Sequence, residues 1–206
     1  MQNVLGIDPG IANCGFAVVD AESKRILAAG VIVPASRRQT NITKTRTGKR
    51  KKTVVPGSLS ATENDMQRCG VIFERLIEIV REFDVVAIAV EDRTVNAAWA
   101  ASTKMTQTGV LVAVECCSIA TGRPRTLLPV KDVHSILGIA IPRGQDAKPY
   151  IERVVMARLG DYEPHIIHGI TPAGRRVHAY DAAAVALAAM SLQTSHVARA
   201  IRGATS

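Results

Sequence analysis

Three apolar runs fill most of residues 4–33: Val4-Leu5-Gly6-Ile7-Asp8, Gly15-Phe16-Ala17-Val18-Val19-Asp20 and Ile26-Leu27-Ala28-Ala29-Gly30-Val31-Ile32-Val33. Runs of this length, rich in β-branched residues and separated by turn formers, are strands, so the chain must begin as a β-meander. Asp8-Pro9-Gly10 ends the first run. Proline removes an amide donor and glycine permits a tight turn, so the strand stops at the sheet edge and its successor returns antiparallel. Asp8 is thereby placed at a strand end, its carboxylate aimed outward.

A second strand ends the same way. From Glu63 to Phe83, Met66, Cys69, Val71, Ile72, Leu76, Ile77, Ile79, Val80 and Phe83 recur at three- and four-residue steps among charges. That period predicts an amphipathic helix laid on the sheet. It leads into Asp84-Val85-Val86-Ala87-Ile88-Ala89-Val90-Glu91, a continuous apolar run expected to be buried on both faces. If the two acid-tipped strands are neighbours, Asp8 and Glu91 lie side by side. Adjacent carboxylates repel unless a cation lies between them, and hard oxygen ligands suit magnesium or manganese.

Farther on, Asn96 to Met105 is Ala-rich and helix-competent and holds Trp99, the single tryptophan; Thr108 to Ile119 can continue that helix. Gly109 costs it about 1 kcal/mol without forbidding it. After Gly122-Arg123-Pro124, residues 125–130 read as a short last strand, Lys131 to Gly138 as a short helix, and Pro149 to Leu159 as an amphipathic one. The last element, Val177 to Met190, is dense in helix formers. His178 and Asp181 are three residues apart and share a face at its N-terminal end. The surrounding alanines let the helix lie close to the sheet. If it crosses near the two acid-tipped strand ends, Asp8, Glu91, His178 and Asp181 converge.

The 206 residues are 47% hydrophobic but only 3% aromatic, which implies one domain with an aliphatic, Ala-rich core. No apolar run approaches the roughly 20 residues needed to span a bilayer, and the first residues do not resemble a signal peptide; a cytoplasmic location is expected. Cys14, Cys69, Cys116 and Cys117 have neither zinc spacing nor histidine partners and read as free thiols. The net charge of +8 is localised. Arg37, Arg38, Lys44, Arg46, Lys49, Arg50, Lys51 and Lys52 carry all of it, and the remaining 18 basic residues match 18 acidic ones. Residues 35 to 60 are expected to form a mobile basic insert in loop conformation, of the kind that meets phosphates.

Three blocks carry a family resemblance. Gly6-Ile7-Asp8-Pro9-Gly10, Ala87-Ile88-Ala89-Val90-Glu91 and His178-Ala179-Tyr180-Asp181-Ala182-Ala183-Ala184-Val185-Ala186-Leu187 resemble, in order and spacing, the signature blocks of RuvC-type Holliday-junction resolvases. Gly138 followed by Gly144-Gln145-Asp146-Ala147-Lys148 resembles the family's Gly-rich loop and the basic residue before its penultimate helix. The resemblance spans the chain except residues 35–60. It implies an RNase H-like α/β fold, with a five-stranded mixed sheet flanked by helices on both sides, in a homodimer that nicks two strands of a four-way junction symmetrically. It further implies that Asp8, Glu91, His178 and Asp181 hold two Mg²⁺ or Mn²⁺ ions, with Lys131 or Lys104 near the cleaved phosphate. Arg143 and Lys148, beside the Gly-rich loop, are further candidates for DNA contact, as are the eight cations of the insert.

Two departures stand out. Many relatives have Asp at the position of His178, and a neutral imidazole there favours manganese. Relatives often bear an apolar wedge after the strand-end Glu, whereas Asp92-Arg93-Thr94-Val95-Asn96 offers no aromatic, leaving Trp99 or the insert as substitutes. Three readings follow: a metal-dependent nuclease resolving junctions, with other branched DNA as a broader alternative; an actin-like phosphotransferase, suggested by the first block alone; and a catalytically silent DNA-binding protein driven by the insert.

Overall fold

The computed structural model describes residues 2–36, 40–44, 50–54, 59–92, 101–159, 164–170 and 173–203. The predicted meander is present. β1 (Asn3–Asp8) pairs antiparallel with β2 (Cys14–Asp20), and β2 pairs antiparallel with β3 (Ile26–Ile32). β6 (Val85–Asp92) joins the other edge of β1 in parallel, and β7 (Arg125–Pro129) lies parallel to β6. The result is a five-stranded mixed sheet in the order β3-β2-β1-β6-β7. A run buried on both sides belongs at the centre of such a sheet, and β1 and β6 occupy it.

Two separate cores cover the two faces. On one, Ile72, Leu76, Ile79 and Val80 of α1 (Ala61–Glu82) and Val110, Val114 and Cys117 of α2 (Ala101–Thr121) pack on Leu5, Ile7, Val18, Ile88 and Val90. α1 starts where it does because Ser60 and Glu63 form a capping box. The Glu63 amide donates to Ser60 Oγ at 3.2 Å, and the Ser60 amide donates to Glu63 Oε2 at 2.9 Å. α2 is one helix running through Gly109, where an added Cβ would lie 3.1 Å from Cys69 Sγ of α1.

On the other face lie α3 (Val130–Leu137), α4 (Lys148–Arg158), α5 (Pro164–His168) and α6 (Arg176–Gly203). α6 crosses β1 and β2 on an interface of small residues. A Cβ on Gly6 would fall 2.0 Å from the Ala182 carbonyl oxygen, and one on Gly15 would fall 2.1 Å from that of His178. Ala179, Ala182, Ala183 and Ala186 supply the helix side of the contact, all buried.

The basic segment differs from its expectation as a loop. β4 (Thr40–Lys44) and β5 (Arg50–Val54) form an antiparallel pair, with Ile42 opposite Lys52 and Lys44 opposite Arg50. Thr and Val have strand propensity that the charge run masks, and cross-strand pairing satisfies the backbone without an apolar face. Val130, read as the end of the last strand, instead opens α3. Arg37, Arg38, Arg46, Lys49, Arg93 and Trp99 lie outside the described residues.

Candidate metal centre

Strand alternation decides which side chains face α6. On β1, Leu5 and Ile7 belong to the core beneath α1 and α2, while Val4 belongs to the core beneath α6. Gly6 and Asp8 follow Val4 at two-residue steps and share its face. On β6, Ile88 and Val90 take the first core and Ala89 the second, so Glu91 also faces α6. The parallel register aligns Gly6 with Ala89 and Ile7 with Val90. Asp8 and Glu91 therefore come next, at the ends of adjacent strands, both buried.

The first turns of α6 bring the remaining candidates. His178 Nδ1 lies 2.6 Å from Asp8 Oδ2. Gly15 is the register partner of Asp8, and the backbone of α6 at His178 rests on it, so the missing side chain at Gly15 is what allows this approach. One ligand atom each from Asp8, His178 and Asp181 falls within 4.8 Å of the other two. Glu91 stands apart from that trio but lines a small cleft with Asp181, together with Val130, Val133, His134, Ile151, Ala184 and Val185. The Asp8 side chain is 1% exposed and that of His178 is 26% exposed, so the group opens to solvent on the helix side.

The donor set fits a hard or borderline divalent cation: carboxylate oxygens with one imidazole nitrogen. No thiolate competes. Cys14 adjoins Gly15 on β2, but burial, reinforced by the charge of Asp8, pushes its thiol up to about 12, and it packs on the opposite face of the sheet.

The cationic candidates lie on other elements. Lys131 is the second residue of α3, next to cleft-lining Val130, and is exposed; Arg143 and Lys148 are exposed in the segment that opens α4. Lys104 is on the first turn of α2, and Lys44, Arg50, Lys51 and Lys52 lie on the β4–β5 hairpin. Sequence reasoning did not single out the helix-seating role of Gly6 and Gly15. The available signal was the glycines set among apolar strand residues.

A scan against protein-family models finds no match, and a search of curated proteins finds none either. Solved structures do match. RuvC from Thermus thermophilus is 26% identical, with a TM-score of 0.57, over 94% of this chain and 97% of that one. RuvC of T. thermophilus in complex with a Holliday junction substrate is 24% identical, with a TM-score of 0.58, over 94% and 96%. The yeast mitochondrial Holliday junction resolvase Ydc2 is 14% identical, with a TM-score of 0.61, over 94% and 79%. The resemblance seen in the signature blocks thus extends to the fold, and over nearly its whole length this chain is similar to RuvC-type resolvases.

Proposed function

We propose that the chain is a metal-dependent endonuclease of the crossover-junction type, a single nuclease domain that acts as a homodimer and resolves four-way DNA junctions in recombination and repair by paired, symmetric phosphodiester hydrolysis. The observation that carries this reading is the convergence of Asp8, His178 and Asp181 within 4.8 Å, beside the strand-end Glu91, in a fold shared with junction resolvases. Two Mg²⁺ or Mn²⁺ ions bound by these four residues would supply Lewis acidity for in-line attack on a phosphodiester.

The chain's own residues do the rest. Asp8 is fixed by β1 and His178 by the seat of α6 on Gly15, so the ligands are positioned by rigid elements before substrate arrives. The hydrogen bond between His178 Nδ1 and Asp8 Oδ2 orients the imidazole toward the carboxylate. Lys131, exposed at the start of α3, neutralises charge that builds on the phosphate during hydrolysis. The basic segment, with Arg143, Lys148 and Lys104, holds the DNA backbone electrostatically. Each phosphate contact it makes contributes about 0.9 to the slope of log affinity against log salt, so deleting residues 37–52 flattens that slope.

The test is cleavage of a labelled synthetic four-way junction beside linear duplex, with Mg²⁺, Mn²⁺ or EDTA. Paired nicks at symmetric positions, dependent on metal and absent from the duplex, support the assignment. Junction binding without cutting in either metal would instead identify a silent DNA-binding protein of this fold.

A further inference from the structure

No Asp or Glu occurs between Glu22 and Glu63, and Lys44, Arg46, Lys49, Arg50, Lys51 and Lys52 crowd the middle of that stretch. Both stems of the basic segment are fixed on the first turn of α1. The Ser36 hydroxyl donates to Oδ1 of buried Asn64 at 3.2 Å, and Ser60 shares its capping box with Glu63. Ser36 lies four residues past Ile32, which pairs with Cys14, whose neighbour Gly15 stands opposite Asp8. The segment thus leaves the body at the end of the sheet that carries the carboxylates.

Between those stems β4 and β5 form a sheet of their own. A two-stranded ribbon is marginal alone in water, and the register sets Lys44 directly opposite Arg50, where like charges repel. A polyanion laid along the ribbon offsets both costs. Opposed residues share a face, and faces alternate along each strand. Lys44, Arg50 and Lys52 therefore fall on one face with Ile42, and Asn41, Thr43, Lys51 and Thr53 on the other. Every residue of the second group can hydrogen-bond. Asn matches the adenine edge, Lys the guanine edge, and Thr either an edge or the thymine methyl.

We propose that the β4–β5 hairpin enters the major groove of a B-form arm of the junction. The face of Asn41, Thr43, Lys51 and Thr53 lies on the base edges, and the cations of the other face reach the flanking phosphates. Strands about 4.8 Å apart make a ribbon that the major groove, about 12 Å wide, admits and the minor groove, about 6 Å wide, does not. Five residues per strand at about 3.4 Å each span about 17 Å, roughly half a helical turn of duplex. The inference rests on the junction-nuclease reading above and adds a groove to it, since a basic loop would touch phosphates alone.

The test is dimethyl sulfate footprinting of a four-way junction bound by the full chain in EDTA, which reads guanine N7 in the major groove, with affinity measured over a salt series. Wild type is compared with the double variants Ile42→Pro/Thr43→Pro and Asn41→Ala/Thr53→Ala, both of which keep every cation. Successive amides point to opposite edges of a strand, so two consecutive prolines remove at least one ladder bond. Melting curves check that the body stays folded. The expected result is N7 protection over about half a turn of an arm in wild type, lost in the proline variant. Affinity falls about 10-fold in both variants, with the salt slope changed by less than one phosphate contact. Binding by wild type without N7 protection, or a proline variant with the wild-type footprint and affinity, overturns the inference and leaves the segment a basic tether. Cleavage in Mn²⁺ and Mg²⁺ is measured on the same preparations. Cutting without N7 protection sinks the groove reading alone, whereas a wild type that neither binds nor cuts the junction sinks the nuclease reading with it.

Discussion

The two faces of the central sheet are held by different means. Beneath α1 and α2 the strands present Leu5, Ile7, Val18, Ile88 and Val90 to Ile72, Leu76 and Ile79, and the helices stand off on side-chain volume. Beneath α6 the strands present Gly6, Gly15, Ala17 and Ala89 to Ala179, Ala182 and Ala186, and the helix backbone comes down almost onto the sheet. A volume-filled face can relax around a lost methyl group because many neighbours share the contact. A backbone-to-backbone seat cannot relax around an added one, because nothing flexible stands in the way. The candidate ligands sit on the second face. Close approach there serves less to bury area than to fix where His178 and Asp181 fall relative to Asp8.

Single-carbon changes break or sharpen this contrast. Gly15→Ala adds one carbon 2.1 Å from the His178 carbonyl oxygen and is expected to cost about 3 kcal/mol, the upper end of overpacking penalties; it should also abolish Mn²⁺ binding by displacing His178. Urea denaturation with metal titration checks both, and a loss below about 1 kcal/mol with normal binding would mean that the seat is not rigid. Ile79→Val removes one carbon from the opposite face, where Ile79 is 1% exposed. It should cost about 1 kcal/mol and leave metal affinity unchanged. Ser60→Ala loosens only the start of α1 by removing its capping box, with an expected loss of about 0.5–1 kcal/mol and no effect at the site.

The smallest effect belongs to Asp20, at the end of β2 away from Gly15. Asp20 Oδ1 accepts from the Ser23 amide at 2.7 Å, the Glu22 amide at 2.9 Å and the Ser23 hydroxyl at 3.1 Å. These bonds, the Ser23 amide foremost, hold its carboxyl below the ordinary value of 3.8. A lowered folded-state pKa stabilises above the unfolded value and is lost as pH falls through the folded one. The melting temperature of wild type should therefore exceed that of Asp20→Asn at pH 7, with the gap closing below about pH 4. A gap independent of pH would contradict that assignment.

Much of this architecture is legible in the sequence for a physical reason. A carboxylate ending an apolar strand is costly unless something uses it, so Asp8 and Glu91 announce a shared edge, and the three-residue step from His178 to Asp181 places both on one helix face. The β4–β5 hairpin was hidden because its stabilisation comes from cross-strand pairing and not from an apolar pattern, and Arg50-Lys51-Lys52 reads as solvated charge. Gly6 and Gly15 were hidden for the opposite reason: a glycine within a strand looks like a local weakness until the helix that needs the space is in place.

The most direct measurement of the central claim is a cleavage series on one four-way junction with wild type, Asp8→Asn, Glu91→Gln, His178→Ala and Asp181→Asn, in Mn²⁺ and in Mg²⁺, with junction affinity measured in parallel. The account predicts that each carboxylate variant loses at least about 100-fold in rate, more than removal of a mere outer partner of a metal ligand costs, while junction binding is retained. Cleavage at the wild-type rate by Asp8→Asn would contradict it, because Asp8 is the residue on which both acid-tipped strands and the seat of α6 converge.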